Sequence, residues 1–175
     1  EEARRIQQLP PSQVKQLALN GDVDAQYWMA EYYGNIGGGR SEFCMWLDKA
    51  ASNGHGKAMN RIAELISDGM LYLCTEIKND NQVYWLTQSA NAGYAYGQYM
   101  LFEELRKSDD LSRQKLGVKW LKAASKLNYY RAQEMLAWVY LEGMYGQPKD
   151  ESRALELFEA SLTGHNDKIH KSLVA

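Results

Sequence analysis

Residues 34–41 come closest to a chemical motif in this chain. They read Gly-Asn-Ile-Gly-Gly-Gly-Arg-Ser, the pattern of a phosphate-binding loop with arginine in place of its lysine. Such a loop connects a strand to a helix, whereas the periodicity described below predicts a helix on each side of this segment. We therefore interpret residues 34–41 as a glycine-rich turn of unusual mobility.

The three histidines, His55, His165 and His170, do not have the spacing of a metal site. Two ligands on one face of a helix are three or four residues apart, and no pair of these histidines has that separation. His55 and His165 each follow a glycine, which favours a role in a turn over catalysis. We predict no metal and no other cofactor.

Nucleophiles and paired carboxylates also lack a recognisable arrangement. No serine or cysteine stands in a nucleophile motif. Glu103–Glu104 and Asp109–Asp110 are neighbours only in sequence, and adjacent residues on a helix point in different directions. We interpret them as solvated charges and predict that the chain is not an enzyme. An active site of dispersed residues is the alternative.

Cys44 and Cys74 have two interpretations. They could form one bridge in an oxidising compartment. Lone cysteines, however, often act as small apolar packing residues, and two of them make no disulfide framework. Packing is the interpretation that the sequence favours.

The composition is that of a folded protein. With 175 residues, 45% of them hydrophobic and 24% charged, the chain can bury a sizeable core in one domain. Its net charge of -2 lacks the basic excess that nucleic-acid binding needs. No apolar run reaches the roughly 18 residues of a membrane-spanning helix. Because the chain begins with Glu1, we expect an upstream signal peptide, which would make it periplasmic, or another removed segment, which would make it cytoplasmic.

A helical pattern recurs four times along the chain. Its marker aromatic residues at positions 46, 85, 120 and 158 are separated by 39, 35 and 38 residues. A second marker is glycine or asparagine, found at Gly21, Gly54, Gly93, Asn128 and Gly164. A small residue follows four positions later at Ala25, Ala58, Gly97 and Ala132. A period of this length is typical of an array of stacked helix pairs.

Helix is expected throughout, because the chain has only three prolines. The predicted first helices of the repeats are 22–34, 55–68, 94–106 and 129–142, and the second helices are 41–52, 80–92, 112–126 and 150–162. Plausible caps for the second helices are Ser41, Asp80 or Asn81, Ser112 and Asp150. Terminal helices at 11–19 and 166–174 would cover the two ends of the array.

The markers resemble those of the Sel-like repeat family, helical relatives of the tetratricopeptide repeat. The fourth repeat matches most fully, at Ala132, Leu136, Gly143, Gly146, Asp150, Ala154, Leu157 and Gly164. The resemblance covers roughly residues 18–164 and implies an all-α, right-handed α-solenoid of about four helix-loop-helix repeats. The repeats would be 18–53, 54–92, 93–127 and 128–163, in a single domain of residues 1–175. The family also implies an adaptor that binds another protein.

The face opposite the buried stripe is the predicted binding surface. At 100 degrees per residue, positions three, six, seven and ten after each repeat glycine lie on that face and would line a concave groove. The predicted partner-binding residues are Tyr27, Trp28, Glu31, Arg61, Glu64, Tyr96, Tyr99, Glu103, Arg131 and Trp138. Aromatic residues and arginine are frequent interface anchors.

Two alternatives remain for parts of this surface. Trp28 and Trp138 could pack against a neighbouring repeat instead of a partner. The equivalent positions of Glu31, Glu64 and Glu103 predict a negative strip, although an ordinary solvated helix face would look the same.

The sequence thus predicts a scaffold that binds a partner protein. By resemblance, its most specific version is a bacterial immunity protein that neutralises a toxic effector. The alternative is a regulatory adaptor for a cell-envelope or signalling enzyme, and an enzyme with a dispersed site is the third hypothesis.

Overall fold

A computed structural model describes residues 6–37 and 39–173, and the surroundings of the side chains as far as residue 164. The α-helices are α1 (Pro11–Leu19), α2 (Val23–Asn35), α3 (Arg40–Ser52), α4 (Gly56–Ser67), α5 (Gln82–Asn91), α6 (Ala95–Leu105), α7 (Leu111–Lys126), α8 (Tyr130–Glu142) and α9 (Glu151–Leu173). Short 3-10 segments occur at Leu71–Leu73 and Met144–Gly146. The described residues contain no β-strand, which confirms the all-α class.

The helix bounds follow the repeat pattern closely, with one correction at the end of the chain. The predicted helices 11–19, 22–34 and 129–142, for example, correspond to α1, α2 and α8 to within one residue. By contrast, α9 passes through Gly164 without a break, so the predicted stop near 162 and separate helix 166–174 are wrong. Gly54 ends α3 with a φ of 94°, but glycine tolerates helical and left-handed backbone alike. Glycine alone therefore does not end α9.

Side-chain caps occur at the starts of α2, α4, α5, α7 and α9, and two of these caps were predicted correctly. Asn81 accepts a hydrogen bond from the first turn of α5, and Asp150 does so for α9. Ser41 and Ser112 are wrong as caps, because each lies inside its helix. Asp110 caps α7 instead, since its longer side chain reaches the free backbone amide of Ser112 at 2.8 Å.

The chain divides into two compact units, residues 1–92 and 93–175. The division falls at the predicted boundary between the second and third repeats. In the first unit the largest fully buried side chains are Trp46, Met29, Leu47, Ile62 and Leu86. In the second they are Phe102, Leu101, Leu121, Val118 and Val139. The marker residues Trp46 and Trp85 are buried as predicted, whereas Trp120 is partly exposed.

A disulfide links two segments of the first unit. Cys44 on α3 is bonded to Cys74, which follows the 3-10 segment, with 5.1 Å between their Cα atoms. The favoured interpretation of two packing cysteines is therefore wrong, although both sulfurs are buried. The bridge anchors a segment that carries Tyr72 on its surface with 75% of the side chain exposed.

Candidate functional site

In the first unit, the predicted residue Tyr27 is part of a contact between successive repeats. Its ring stacks on His55 with 4.4 Å between ring centroids and an interplanar angle of 17°. The His55 Nδ1 accepts a hydrogen bond from the amide of Ala58, which caps α4, and its Nε2 lies 3.2 Å from the Asp24 carboxylate. Tyr27 is thus a partly exposed ring held in place from the side of the next repeat.

His55 is held in its neutral form. Burial lowers the pKa of His55 and outweighs the opposing effect of Asp24. The helix cap acts in the same direction, because Nδ1 can accept the Ala58 hydrogen only while it is unprotonated. The prediction of a turn role for His55 is therefore confirmed in its geometry.

Arg61 and Glu64 neutralise one another on α4. Their side chains form an ion pair of 3.2 Å, and Glu64 also accepts a hydrogen bond of 2.8 Å from Asn60. Asn60 is 3% exposed and its Oδ1 has no partner among the described residues. The local ion pair weakens the predicted negative strip at this point.

Trp28 and Glu31 are partly buried on α2. Trp28 stacks on Tyr32, one turn further along the same helix, with centroids 5.3 Å apart. It therefore has a supporting contact within its own helix and keeps part of its ring exposed.

In the second unit, the structure brings predicted site residues together in a tyrosine cluster, defined here as Tyr94, Tyr96, Tyr99 and Tyr129. Tyr129 is at the centre, with ring centroids 5.5 Å from Tyr99 and 6.0 Å from Tyr96. Tyr94 contacts Tyr96 at 6.1 Å. All four rings are partly exposed, and edge-to-face rings at such distances stabilise one another.

Two hydroxyls of this cluster, those of Tyr99 and Tyr129, stay protonated over the physiological range. Burial, reinforced by the neighbouring Glu103 carboxylate, raises the pKa of Tyr99 to about 12. Burial also raises the pKa of Tyr129 to about 12. The neutral Tyr129 hydroxyl can therefore donate a hydrogen bond to a partner, whereas the Tyr99 hydroxyl is already engaged with the Glu103 carboxylate.

Glu103 lies beside the cluster and is not a free surface charge. It pairs with Arg106 at 2.8 Å, and its side chain is only 21% exposed. The interpretation of Glu103 as a solvated charge is wrong, because one turn of helix brings a cation within reach.

Arg131 and Trp138 lie at the edge of the same unit. The Arg131 Nε donates to the Tyr130 hydroxyl at 3.1 Å. Trp138 meets Phe158 of α9 edge to face, with centroids 5.3 Å apart, and is 44% exposed. Trp138 thus contacts the second helix of its own repeat.

Sequence reasoning missed the rings of His55, Tyr94 and Tyr129. Each stands directly after the repeat glycine or asparagine, at position 55, 94 or 129. Within each unit such a ring lies against position six of the preceding repeat, as His55 does on Tyr27 and Tyr129 on Tyr99. The recurrence of an aromatic ring at that one position was the signal that could have found them.

The remaining chemical candidates give no cluster in the part of the chain that the structure describes. No group of three metal-ligating side chains converges there. Of the phosphate-loop-like segment, Gly38 lies outside the described residues, as do the side chains of His165 and His170. None of the described helices combines the length and apolar character needed to cross a membrane.

A cavity of about 570 Å³ lies at the N-terminal end of the first unit. It is lined by Ile6, Leu9, Ser12, Gln13, Gln16, Leu17 and Asp22. Its lining is largely aliphatic and amide, with Asp22 engaged as the cap of α2 through a 2.7 Å hydrogen bond. The described lining therefore offers no pair of groups for acid–base chemistry.

Comparison with known proteins places these features in a family. The sequence profile of the Sel1 repeat matches residues 23–41, 44–55, 83–94, 95–129 and 131–163. The chain is 30% identical over 167 residues to the chitin synthase regulator SKT5 of Saccharomyces cerevisiae. That match covers 88% of this chain but only 24% of the yeast protein.

Two solved structures share the fold. A protective antigen of uropathogenic Escherichia coli that displays an SLR fold superposes with a TM-score of 0.71 at 21% identity, over 89% of this chain and 33% of that one. A Sel1 repeat protein from Oxalobacter formigenes gives 0.73 at 22% identity, over 91% and 46%. The matched repeats and the shared helical architecture show that the chain belongs to the Sel1 repeat family.

Proposed function

We propose that this chain is a scaffold that binds and regulates a partner protein, with the tyrosine cluster of the second unit as its main contact surface. Sel1 repeat proteins act as protein–protein interaction scaffolds and regulators. The observation that carries the proposal is the cluster itself: partly exposed, mutually supported tyrosine rings with neutral hydroxyls. Rigid tyrosines bind partners well because they bury a large area while losing little conformational freedom.

The regulatory adaptor is the version of this function that a relative supports. SKT5 is named as a regulator of chitin synthase, which favours an enzyme as the partner of this chain too. The bacterial immunity protein that neutralises a toxic effector stays a prediction from the family. Each unit is proposed to offer its own contact residues, Tyr27 and Arg61 in the first unit and the tyrosine cluster in the second.

The test compares partner affinity with folding. A partner captured with the wild-type chain is purified, and its affinity is measured for the double variant Tyr99→Phe, Tyr129→Phe. The variant keeps both rings but removes the Tyr129 donor and the Tyr99 hydroxyl that is engaged with Glu103, so affinity should fall about tenfold. Tyr84→Phe is the matched control, because Tyr84 is a 44% exposed ring on α5 in the first unit. Unchanged affinity in a folded double variant would place the contact surface elsewhere.

A further inference from the structure

The groove between α8 and α9 in the second unit has two walls of matching composition. From helical spacing we assign Tyr130, Glu134 and Trp138 to the α8 wall, and Leu155, Glu159 and Leu162 to the α9 wall. Residues three or four apart lie on the same helix face. Each wall therefore carries one carboxylate with an apolar side chain a turn before it and a turn after it.

A cavity lies between the walls. It measures about 310 Å³ and is lined by Tyr130, Glu134, Phe158, Ser161 and Leu162. The hydroxyl of Ser161 donates to the carbonyl of Phe158 at 2.8 Å, so that its polarity is satisfied within α9. Near Gly164 the groove narrows, since a Cβ atom at this position would come within 3.2 Å of the Tyr130 Cβ. The cavity can accommodate an apolar side chain.

The apolar residues of both walls face solvent. Trp138 is 44% exposed, Leu155 61% and Leu162 63%. Apolar area of this kind is stabilised by removal from water, and tryptophan is among the most frequent anchors of protein interfaces. The edge-to-face contact with Phe158 keeps the Trp138 ring in a defined orientation.

The carboxylates of the groove favour a partner with a positive charge. Glu134 and Glu159 are exposed, and neither forms an ion pair within the described part of the chain. Residues 130–142 and 151–164 contain five acidic and two basic side chains. The two cations are engaged, Arg131 with Tyr130 and Arg153 with Asp150. Among the residues whose side chains the structure describes, neither carboxylate of the groove is therefore paired with a cation.

We infer that this groove docks an amphipathic helix of a partner protein, with a lysine or arginine one turn from apolar residues on either side. A helix fits between two helices when its side-chain ridges enter their groove. Its apolar residues would cover Trp138, Leu155 and Leu162, and its cation would pair with Glu134 or Glu159. This inference rests on the proposed protein-binding function but concerns a neighbouring surface, which borders the tyrosine cluster where the Tyr130 and Tyr129 ring centroids are 5.9 Å apart.

The test uses the full chain and two synthetic helical peptides. Both carry leucines at helical spacing on one face, and they differ only in an arginine or a glutamate one turn from two leucines. Calorimetry should show that the arginine peptide binds the wild-type chain at least tenfold more tightly than the glutamate peptide. In the double variant Glu134→Lys, Glu159→Lys the preference should invert. Asp109→Lys is the matched control, because Asp109 is an exposed carboxylate of the same unit in the segment between α6 and α7, and it should leave both affinities unchanged.

Several results would overturn the inference. They are equal affinity for the two peptides, binding of neither, or a preference that the double variant keeps while circular dichroism shows it folded. A dimer that the double variant disperses in sedimentation would instead assign the groove to a second copy. A gain of peptide affinity in Lys168→Glu, Lys171→Glu would assign it to the chain's own C-terminal residues. The proposed function is tested separately, by the affinity of the tyrosine variants for the cellular partner. The double variant Tyr99→Phe, Tyr129→Phe should bind the arginine peptide with the affinity of the wild type.

Discussion

His55 makes three contacts at once, and two of them depend on its protonation state. The ring lies on Tyr27, Nδ1 caps α4, and Nε2 faces Asp24. Protonation of Nδ1 would remove the cap at the start of α4, whereas the pair with Asp24 tolerates the cation. The lowered pKa of His55 shows that burial prevails over Asp24.

This arrangement predicts a loss of stability in mild acid. Since the pKa of His55 is lower in the folded chain than its ordinary value of 6.5, the unfolded chain binds the proton first as pH falls. The free energy of unfolding should therefore decrease as pH drops below about 6.5. It is measured by urea denaturation at about pH 7.5 and pH 5.5, within the range where histidine titrates.

The control is His55→Asn, which keeps a capping acceptor but does not titrate. The variant should lose less stability than the wild type between the two pH values. Equal losses in both proteins would show that His55 is not the titrating group.

Glu103 is the residue where the structure changes an expectation most. The sequence, which places Glu103 opposite the buried stripe, predicts that Glu103→Lys alters binding and leaves folding nearly unchanged. The contacts predict the reverse order of effects, because the lysine would face Arg106 and lie beside Tyr99. We expect a stability loss of about 2 kcal/mol by chemical denaturation, the range for a hydrogen bond to a charged group.

Glu134→Lys provides the comparison for this variant. Glu134 is exposed on α8 and has no ion pair in the described chain, so its replacement should change stability by less than about 0.5 kcal/mol. If the two variants are equally stable, the contact between Glu103 and Arg106 does not contribute to folding.

At the scale of elements, the 3-10 segment before Cys74 depends on a bond that lies outside it. Leu71–Leu73 is too short to be stable by itself. It is anchored by the bond of Cys74 to Cys44 on α3 and by the buried Ile77 that follows. The same anchoring keeps Tyr72 at the surface.

Loss of the bridge should destabilise the chain measurably. The disulfide spans a sequence separation of 30 residues, for which the loss of loop-closure entropy in the unfolded chain corresponds to about 3 to 4 kcal/mol. Chemical denaturation of Cys44→Ser, Cys74→Ser should show a decrease of this order. Dithiothreitol should lower the stability of the wild type and leave that of the double variant unchanged. If dithiothreitol leaves the free energy of unfolding of the wild type unchanged, the bridge does not contribute to stability.

The long helix α9 differs from the second helices of the earlier repeats in where it ends. Its counterparts α3 and α5 end in the residues before Gly54 and Gly93, both with positive φ. At Gly164 the chain continues as helix to Leu173. The last repeat therefore differs from the others in where its second helix stops.

At the scale of the whole molecule, the prediction of a single domain concerns the cooperativity of unfolding. The sequence predicts one domain over residues 1–175, whereas the contacts define two compact units that meet at residues 92 and 93. One domain would show a single unfolding transition, and Trp46→Ala, which removes a 2% exposed ring, would shift all of it by about 3 to 5 kcal/mol. Calorimetry and circular dichroism should agree on that transition. Two transitions, only one of which responds to Trp46→Ala, would show two independent domains.

Sequence by itself determined the helical repeat and most helix bounds. Helix formation, caps and the buried stripe depend on residues three or four positions apart, so that Ala25, Met29 and Ala30 could be assigned to the core directly. The pairing of Arg61 with Glu64 has the same local spacing and could have been recognised there. By this reasoning the family, too, was visible in the markers.

Tertiary structure decided the contacts between residues that are far apart in sequence. The bond between Cys44 and Cys74, the stacking of His55 on Tyr27 and the packing of Tyr129 against Tyr99 each join residues about 30 positions apart. Whether such residues meet depends on how successive helices pack, which repeat spacing does not specify. The same packing determines which side chains are supported by neighbours, as Trp138 is by Phe158, and which, like Leu155 and Leu162, stay largely exposed.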